Sequence, residues 1–339
     1  MSRVKPVLWV AIKDYEAVRR AMDPLVPSVF SKVVPGCSVE AFKEEMAAKT
    51  TEPITLVMGD PKGGEILRAA LDTCNDRLMW VHSLWTGVDG FKISDISKDR
   101  LKCPVTNARG VFAGMLAEHV IFALFYFLRK TTVLQRNQIN REWKPHTNGF
   151  LREGRMGIIG YGDIAKCCAK HARSFEIDVV GWRRTVDAPV DELGVKVVSG
   201  QEGLDEVLGC DYVLAVLPKT DATYHMIDKS FFAKMKKNTI FINIGRGASV
   251  VEHDLADALR DGTIGAAALD VYEVEPLSKS SPLYDISTDK LLLTPHDADV
   301  NRERYFPAAR HFAEKYAKPF GETGTLDHID YLVDVSRGY

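Results

Sequence analysis

Short, continuously apolar runs alternate with amphipathic stretches along most of this chain. In the first hundred residues the runs Val7 to Ile12, Ile54 to Met58 and Met79 to His82 predict strands, with helices near Asp14 to Met22 and Glu65 to Ala70. This is an open parallel α/β pattern, and it carries no phosphate-type glycine turn. From Arg155 the alternation resumes. Seven strands are expected there: Met156 to Ile159, Asp178 to Val180, Val195 to Val198, Tyr212 to Leu217, Thr239 to Ile244, Gly265 to Val271 and Leu291 to Thr294. With helices between them they make one doubly wound sheet, and the helix over Asp254 to Leu259 meets its stop at Gly262.

Between the two blocks lies a long apolar helix, from about Gly114 to Lys130, followed by a polar segment through Gly149 that contains Trp143. That segment has too few apolar residues for a core of its own, so it is either a linker or an arm laid on a partner subunit. After His296 the chain turns helical and polar and is expected to return to the first block. The organisation predicted is therefore a discontinuous domain of residues 1–108 plus 297–339 around a central domain of residues 109–296.

The run Met156-Gly157-Ile158-Ile159-Gly160 leads into the tight turn Tyr161-Gly162-Asp163, then a helix, then Asp178 to Arg184. Strand, glycine turn, helix, strand is the unit that binds a dinucleotide. Gly160 allows the turn, Gly162 lets backbone approach a pyrophosphate, and Ala165 takes the third small position. Asp163 is an anion near that pyrophosphate, or a cap for the following helix.

Three residues stand just after expected strand ends, where ligands bind in open α/β sheets: Arg246, Glu275 and His296. An imidazole can protonate a developing alkoxide near neutral pH. A guanidinium can hold a carboxylate through paired hydrogen bonds, and a carboxylate beside the imidazole raises its pKa. Each alone also has an ordinary reading, as a cap, a surface ion pair or a loop residue. The loop Ser83-Leu84-Trp85-Thr86-Gly87-Val88-Asp89 is either a plain strand-to-helix turn or a set of backbone N–H groups that receives a carboxylate.

The motifs Gly160-Tyr161-Gly162-Asp163-Ile164-Ala165, Asn243-Ile244-Gly245-Arg246-Gly247-Ala248, Gly265 through Pro276, and Thr294-Pro295-His296 stand in an order and spacing that resemble the D-isomer-specific 2-hydroxyacid dehydrogenase family over nearly the whole chain. The resemblance implies two Rossmann-like domains, a flavodoxin-like substrate domain and an NAD(P)-binding one. It implies catalytic roles for Arg246, Glu275 and His296, and substrate carboxylate binding at Trp85, Thr86 and Gly87. Cofactor contacts would come from Gly160, Gly162, Asp163, Ile164, Arg183, Arg184, Thr185, Leu217, Pro218, Thr223, Ile244, Gly245 and Asp270, with Asp270 against the nicotinamide amide. Ala117-Glu118-His119 matches the family's interdomain helix, which helps form a homodimer. The overall pattern, including the ending Val335-Ser336-Arg337-Gly338-Tyr339, is most similar to the glyoxylate and hydroxypyruvate reductase A branch.

Composition narrows this little further. Of 339 residues 46% are hydrophobic and 27% charged, with a net charge of −2, so neither a nucleic acid nor a membrane partner is expected. Six cysteines without a CxxC pair read as reduced thiols, no metal is expected, and the N-terminus has no signal-peptide character, which makes the cytoplasm the expected location. Cofactor choice is more informative. An NAD enzyme places Asp or Glu at the end of the second strand of the unit. Here that place holds Arg183, then Arg184 and Thr185, so NADP(H) is expected to be preferred, with NAD(H) possible, unless both arginines are solvated surface charges. After His296 the chain reads Asp297-Ala298-Asp299, and one of these carboxylates is expected to favour the protonated imidazole. The function expected is reduction of small 2-keto acids to D-2-hydroxy acids. The alternatives are an NAD-dependent 2-hydroxyacid dehydrogenase or a non-enzymatic dinucleotide sensor resembling the corepressor relatives of this family.

Overall fold

The computed structural model describes residues 4–335 apart from Lys98, Asp187, Asn301, Arg302, Arg304 and Asp330. The chain ending at Tyr339, part of the resemblance above, lies outside the described residues. Two compact units result, one made of Met1–Val111 with Val300–Tyr339 and the other of Phe112–Asp299.

In the first unit five strands, β1 (Val7–Ala11), β2 (Val33–Gly36), β3 (Ile54–Met58), β4 (Leu78–Ser83) and β5 (Val105–Asn107), form a parallel sheet in the order β2-β1-β3-β4-β5. That is the flavodoxin-like order. Two of these strands are absent from the sequence reading, for physical reasons. β2 contains Pro35 and Gly36, which weaken a strand pattern yet are tolerated at a sheet edge, and β5 has three residues, too few for a period to register.

Successive residues of the inner strands are buried on opposite faces. Trp9, Leu56 and Val81 join one core with Phe42, Ile66 and Phe91. On the other face Trp80 and His82 pack against Phe312 and Tyr316, in the wide π-turn Phe312–Ala317, with Trp80 also meeting Phe320. The return of the chain end to this sheet is thus an aromatic contact.

The second unit has seven parallel strands: β6 (Arg155–Ile159), β7 (Asp178–Trp182), β8 (Lys196–Val198), β9 (Tyr212–Ala215), β10 (Ile240–Asn243), β11 (Ala266–Leu269) and β12 (Leu291–Leu293). All seven coincide with the runs read from the sequence. Their order is β12-β11-β10-β9-β6-β7-β8, which is the Rossmann order 3-2-1-4-5-6 with a seventh strand added at one edge. Tyr212, Leu214, Ile240, Ile242, Ala266 and Ala268 enter one core, and Val213, Ala215, Phe241, Ala267 and Leu269 enter the other. Both faces are therefore covered, as a purely parallel sheet requires. The expected strands overran the observed ones at β9, β10 and β11, because Val216, Ile244 and Asp270 leave the ladder to build loops.

The long helix spans Ala113–Leu128. The polar segment after it contains a helix, Thr131–Ile139, that buries no residue, which agrees with its lack of a core. All six cysteines are free, three buried and three partly so. No helix among the described residues is long and apolar enough to cross a membrane.

His82 gives the first unit a pH dependence. Its Nδ1 pairs with Thr106 Oγ1 at 2.8 Å, and its Nε2 is buried without a partner among the described residues. Burial, reinforced by the neighbouring His311, holds its pKa well below the ordinary value. The unfolded chain takes up this proton below about pH 6.5 and the folded chain does not, so stability is lost as pH falls through that point. Denaturant midpoints measured above and below it should drop on acidification, and His82→Asn should flatten the drop. An unchanged slope in the variant would remove His82 as the cause.

Candidate active site

The dinucleotide unit is built as its glycines require. Gly160, directly after β6, has φ +92°, and a Cβ there would stand 2.5 Å from the Val216 carbonyl oxygen. A Cβ on Gly162 would meet nothing within 4 Å, so this backbone is open to an approaching ligand. The helix Asp163–Ser174 starts from Gly162 as its N-cap residue. Asp163 is therefore the first helical residue and not the cap residue, and its charge lies in the first turn, where the helix dipole favours an anion. Ile164 is partly buried, and Ala165 is fully buried against the sheet.

Arg183 follows β7 immediately, with its N–H donating to the Val198 carbonyl at 3.0 Å; it is partly buried, while Arg184 and Thr185 are exposed. The residue at the end of that strand is a basic one where an NAD enzyme places Asp or Glu. The loop after β9 holds Leu217, buried, and Pro218, partly buried. The Thr223 hydroxyl is committed to this loop, donating to the Pro218 carbonyl at 2.6 Å and accepting from the Thr220 N–H at 3.0 Å. It shapes the loop more directly than it offers itself to a ligand. Ile244 and Gly245 are buried after β10, and the Gly245 N–H donates to Asn243 Oδ1 at 3.0 Å.

Arg246, Glu275 and His296 arise from the loops after β10, β11 and β12, which are consecutive strands of the sheet. His296 Nδ1 lies 2.7 Å from Glu275 Oε2, and Glu275 Oε1 accepts the Tyr272 N–H at 3.0 Å. Burial alone would raise the Glu275 carboxyl, but the His296 bond and the Tyr272 N–H outweigh it and hold it below its ordinary value. The same bond holds the imidazole of His296 above its ordinary value, against burial and against the charge of Arg246. Arg246, partly buried, acts electrostatically on both members of the pair. His296 has φ +52°, a left-handed conformation that a non-glycine residue keeps only when its surroundings impose it.

Asp270 does the imposing. Its Oδ1 accepts the Thr294 hydroxyl at 2.7 Å and the Asp297 and Ala298 N–H groups at 3.1 and 3.3 Å, so the segment on both sides of His296 is tied to one buried carboxylate. Among the described residues Oδ2 shares only the Ala298 N–H, at 3.3 Å. Asp270, expected from the sequence to contact the cofactor, thus has this second task as well. It also expected Asp297 or Asp299 to favour the His296 imidazolium. The charges that favour it are chiefly Glu275, then Asp270. Asp297 bears instead on His119, whose pKa burial lowers against the pull of Asp270 and Asp297. Burial raises the Asp299 carboxyl against the pull of His296, so Asp299 and His296 are electrostatically coupled.

A second network, also missed, ties the loops together. Glu273 Oε1 accepts the Tyr224 hydroxyl and lies 2.9 Å from His225 Nε2, and the Glu273 N–H donates to Glu252 at 2.9 Å. The His225 N–H donates to the Ala248 carbonyl at 2.9 Å. The loops after β9, β10 and β11 are thereby joined. Only the spacing of Glu273 from Glu275 hinted at this, and spacing alone names no partner.

In the first unit, Trp85 stacks on Phe91 with ring centroids 4.7 Å apart, and Thr86 and Gly87 are partly buried. Among the described residues the N–H groups of Thr86 and Gly87 have no partner within the chain. Among the described residues no cluster of three or more metal-ligating side chains occurs.

A family model described as D-isomer specific 2-hydroxyacid dehydrogenase, NAD binding domain, matches residues 121–298, more than half of the chain. A probable 2-ketogluconate reductase of Dictyostelium discoideum is 33% identical over 223 residues, which span 64% of this chain and 65% of that protein. Among solved structures, a D-isomer specific 2-hydroxyacid dehydrogenase from Xanthobacter autotrophicus Py2 in complex with NADPH and MES superposes with TM-score 0.79 at 28% identity, covering 99% of this chain and 100% of the other. An NADPH-dependent glyoxylate/hydroxypyruvate reductase from Sinorhizobium meliloti in complex with NADP and sulfate gives 0.78 at 26%, with the same coverage. The Rossmann sheet order and the sequence match to the family's NAD-binding domain agree, and the chain belongs to the D-isomer-specific 2-hydroxyacid dehydrogenases, a family of nicotinamide-dependent oxidoreductases.

Proposed function

We propose that this chain is an NADPH-preferring reductase of small 2-keto acids, of the glyoxylate and hydroxypyruvate kind, giving D-2-hydroxy acids. The observation that carries the reading is the His296–Glu275 pair at 2.7 Å, at the strand edge that also bears Arg246. The residues present fit a dinucleotide: the open backbone at Gly162 leaves room for a pyrophosphate, and the helix beginning at Asp163 directs its N-terminus there. Arg183 and Arg184 would pair with a 2′-phosphate, and the free lone pairs of Asp270 Oδ2 would take the nicotinamide amide. When bound, the reduced nicotinamide supplies a hydride to the substrate's carbonyl carbon.

The chain's own residues do the rest. Arg246 holds the substrate carboxylate and polarises the adjacent carbonyl. In the first unit, the loop Trp85-Thr86-Gly87 offers N–H groups of its own, suited to a carboxylate. His296, kept protonated by Glu275, gives its Nε2 proton to the carbonyl oxygen as that oxygen gains negative charge, and recovers a proton from solvent. A second copy of the chain is the partner we assign, because Phe122, Ile139 and Trp143, on the long helix and the segment after it, are 50%, 80% and 96% exposed.

His296→Gln should lower kcat by about 10²- to 10⁴-fold while leaving NADPH binding intact; near-normal turnover of both glyoxylate and hydroxypyruvate would reject the role. Reduction needs the imidazolium, so the rate should fall as pH rises through the elevated His296 pKa. Glu275→Gln removes the charge that elevates it, so the surviving activity should lose its alkaline limb at lower pH. Replacing Arg183 and Arg184 together by Ser should cut the NADPH-to-NADH ratio of kcat/KM by about ten- to hundredfold, since a charge-assisted hydrogen bond contributes roughly 1.5–3 kcal/mol. A ratio already near one in the unaltered chain would sink the preference. Light scattering should return the mass of a dimer, and a monomer would refute the partner assignment.

A further inference from the structure

The Thr86 and Gly87 N–H groups, which have no partner among the described residues, are aimed by side chains at two strand ends. Ser83 ends β4 and Asn107 ends β5, and the two are register partners on these adjacent parallel strands. Both are almost completely buried. The Ser83 hydroxyl donates to the Trp85 carbonyl at 2.8 Å while accepting the Trp85 N–H at 3.0 Å. Asn107 Nδ2 donates to the Thr86 carbonyl at 2.6 Å. The Ala108 N–H adds a weaker bond to the Trp85 carbonyl, at 3.3 Å.

A trans peptide is planar, with its C=O and N–H pointing in opposite directions. Holding the Trp85 carbonyl therefore sets the direction of the Thr86 N–H, and holding the Thr86 carbonyl sets that of the Gly87 N–H. Gly87 has no side chain to restrain its own backbone, so the second restraint matters most there. We infer that Ser83 and Asn107 are positioning residues that pre-orient the Thr86 and Gly87 N–H groups as a two-donor receptor for the substrate carboxylate.

A further observation points the same way. Among the described residues, Asn107 Oδ1 is buried with no hydrogen-bond partner. Unsatisfied buried acceptors are uncommon and reduce stability. Rotating the amide by half a turn would set its oxygen against the Thr86 carbonyl, so the orientation is dictated by the loop at the expense of the other amide atom. A residue selected for packing alone would not need an amide here. Pre-orientation also fits the chemistry: donors fixed before the substrate arrives do not lose freedom when they bind it.

This inference rests on the carboxylate site assigned under the proposed function, and the experiment separates the two. Ser83→Ala and Asn107→Asp each remove one donor with little change in volume, and Ser83→Thr restores a hydroxyl. Steady-state reduction of glyoxylate, inhibition by oxamate, NADPH binding and thermal melting are measured on the full-length chain. Either donor-removing variant should raise KM for glyoxylate and Ki for oxamate together, by about tenfold, with kcat in the parent range and NADPH affinity unchanged, and Ser83→Thr should recover part of the Ser83→Ala loss. A purely structural role would lower the melting temperature and the active fraction, reducing kcat while KM and Ki stay at parent values. That outcome in both variants would overturn the inference. If Asn107→Asp does not fold, Ser83→Ala alone decides between the same two outcomes. Failure of the unaltered chain to reduce any 2-keto acid would instead overturn the proposed function.

Discussion

Covering both faces of a parallel sheet is the constraint on which the rest of the molecule depends. In the second unit, alternate residues of β9, β10 and β11 enter two separate apolar cores, where an unpaired polar group would be costly. Polar chemistry is therefore driven to the strand ends. Because the strands are parallel, all their carboxyl ends lie on one edge, and consecutive loops deliver Arg246, Glu275 and His296 side by side. The first unit repeats the logic, with Ser83 and Asn107 placed by register at neighbouring strand ends.

Loops gathered at an edge still have to be held, and carboxylates do much of the holding. Asp270 anchors the segment around His296, and Glu273 joins the loops after β9 and β11 through Tyr224 and His225. Glu275 differs in kind, since its main partner is an imidazole that can exchange a proton. Its carboxylate lifts the His296 pKa, and the imidazole depresses that of Glu275 in return. Each shift is the other's cause, so the pair acts as one electrostatic unit. The positive φ of His296 is the strain that this arrangement sustains.

Much of this was legible in the residues, and the misses have physical reasons. Seven apolar runs announced the seven strands of the second unit, because a strand buried on both faces needs apolar residues at successive positions. Gly160 and Gly162 announced the turn, since few other residues adopt φ +92° or leave such open backbone. The edge strand β2 was hidden by its Pro and Gly, and β5 by its brevity. Asp163 was read as a possible cap, whereas Gly162 occupies that position. Asp297 and Asp299 were weighed by their distance along the chain from His296. In space Asp297 bears on His119, whereas Asp299, raised by burial, is coupled to His296.

The sequence by itself determined the strand count of the second unit, its dinucleotide turn, the basic end of β7 and the residue types at the strand ends. These depend on local periodicity, on backbone conformations that only certain residues permit, and on the charge of individual side chains. Only the tertiary structure decided which groups meet. That Glu275 takes His296, that Asp270 ties down the loop around it, and that Ser83 and Asn107 face the peptides of Trp85 and Thr86 all follow from sheet order and register. Those partners are brought together by strand pairing between distant stretches of chain, and no local pattern encodes that.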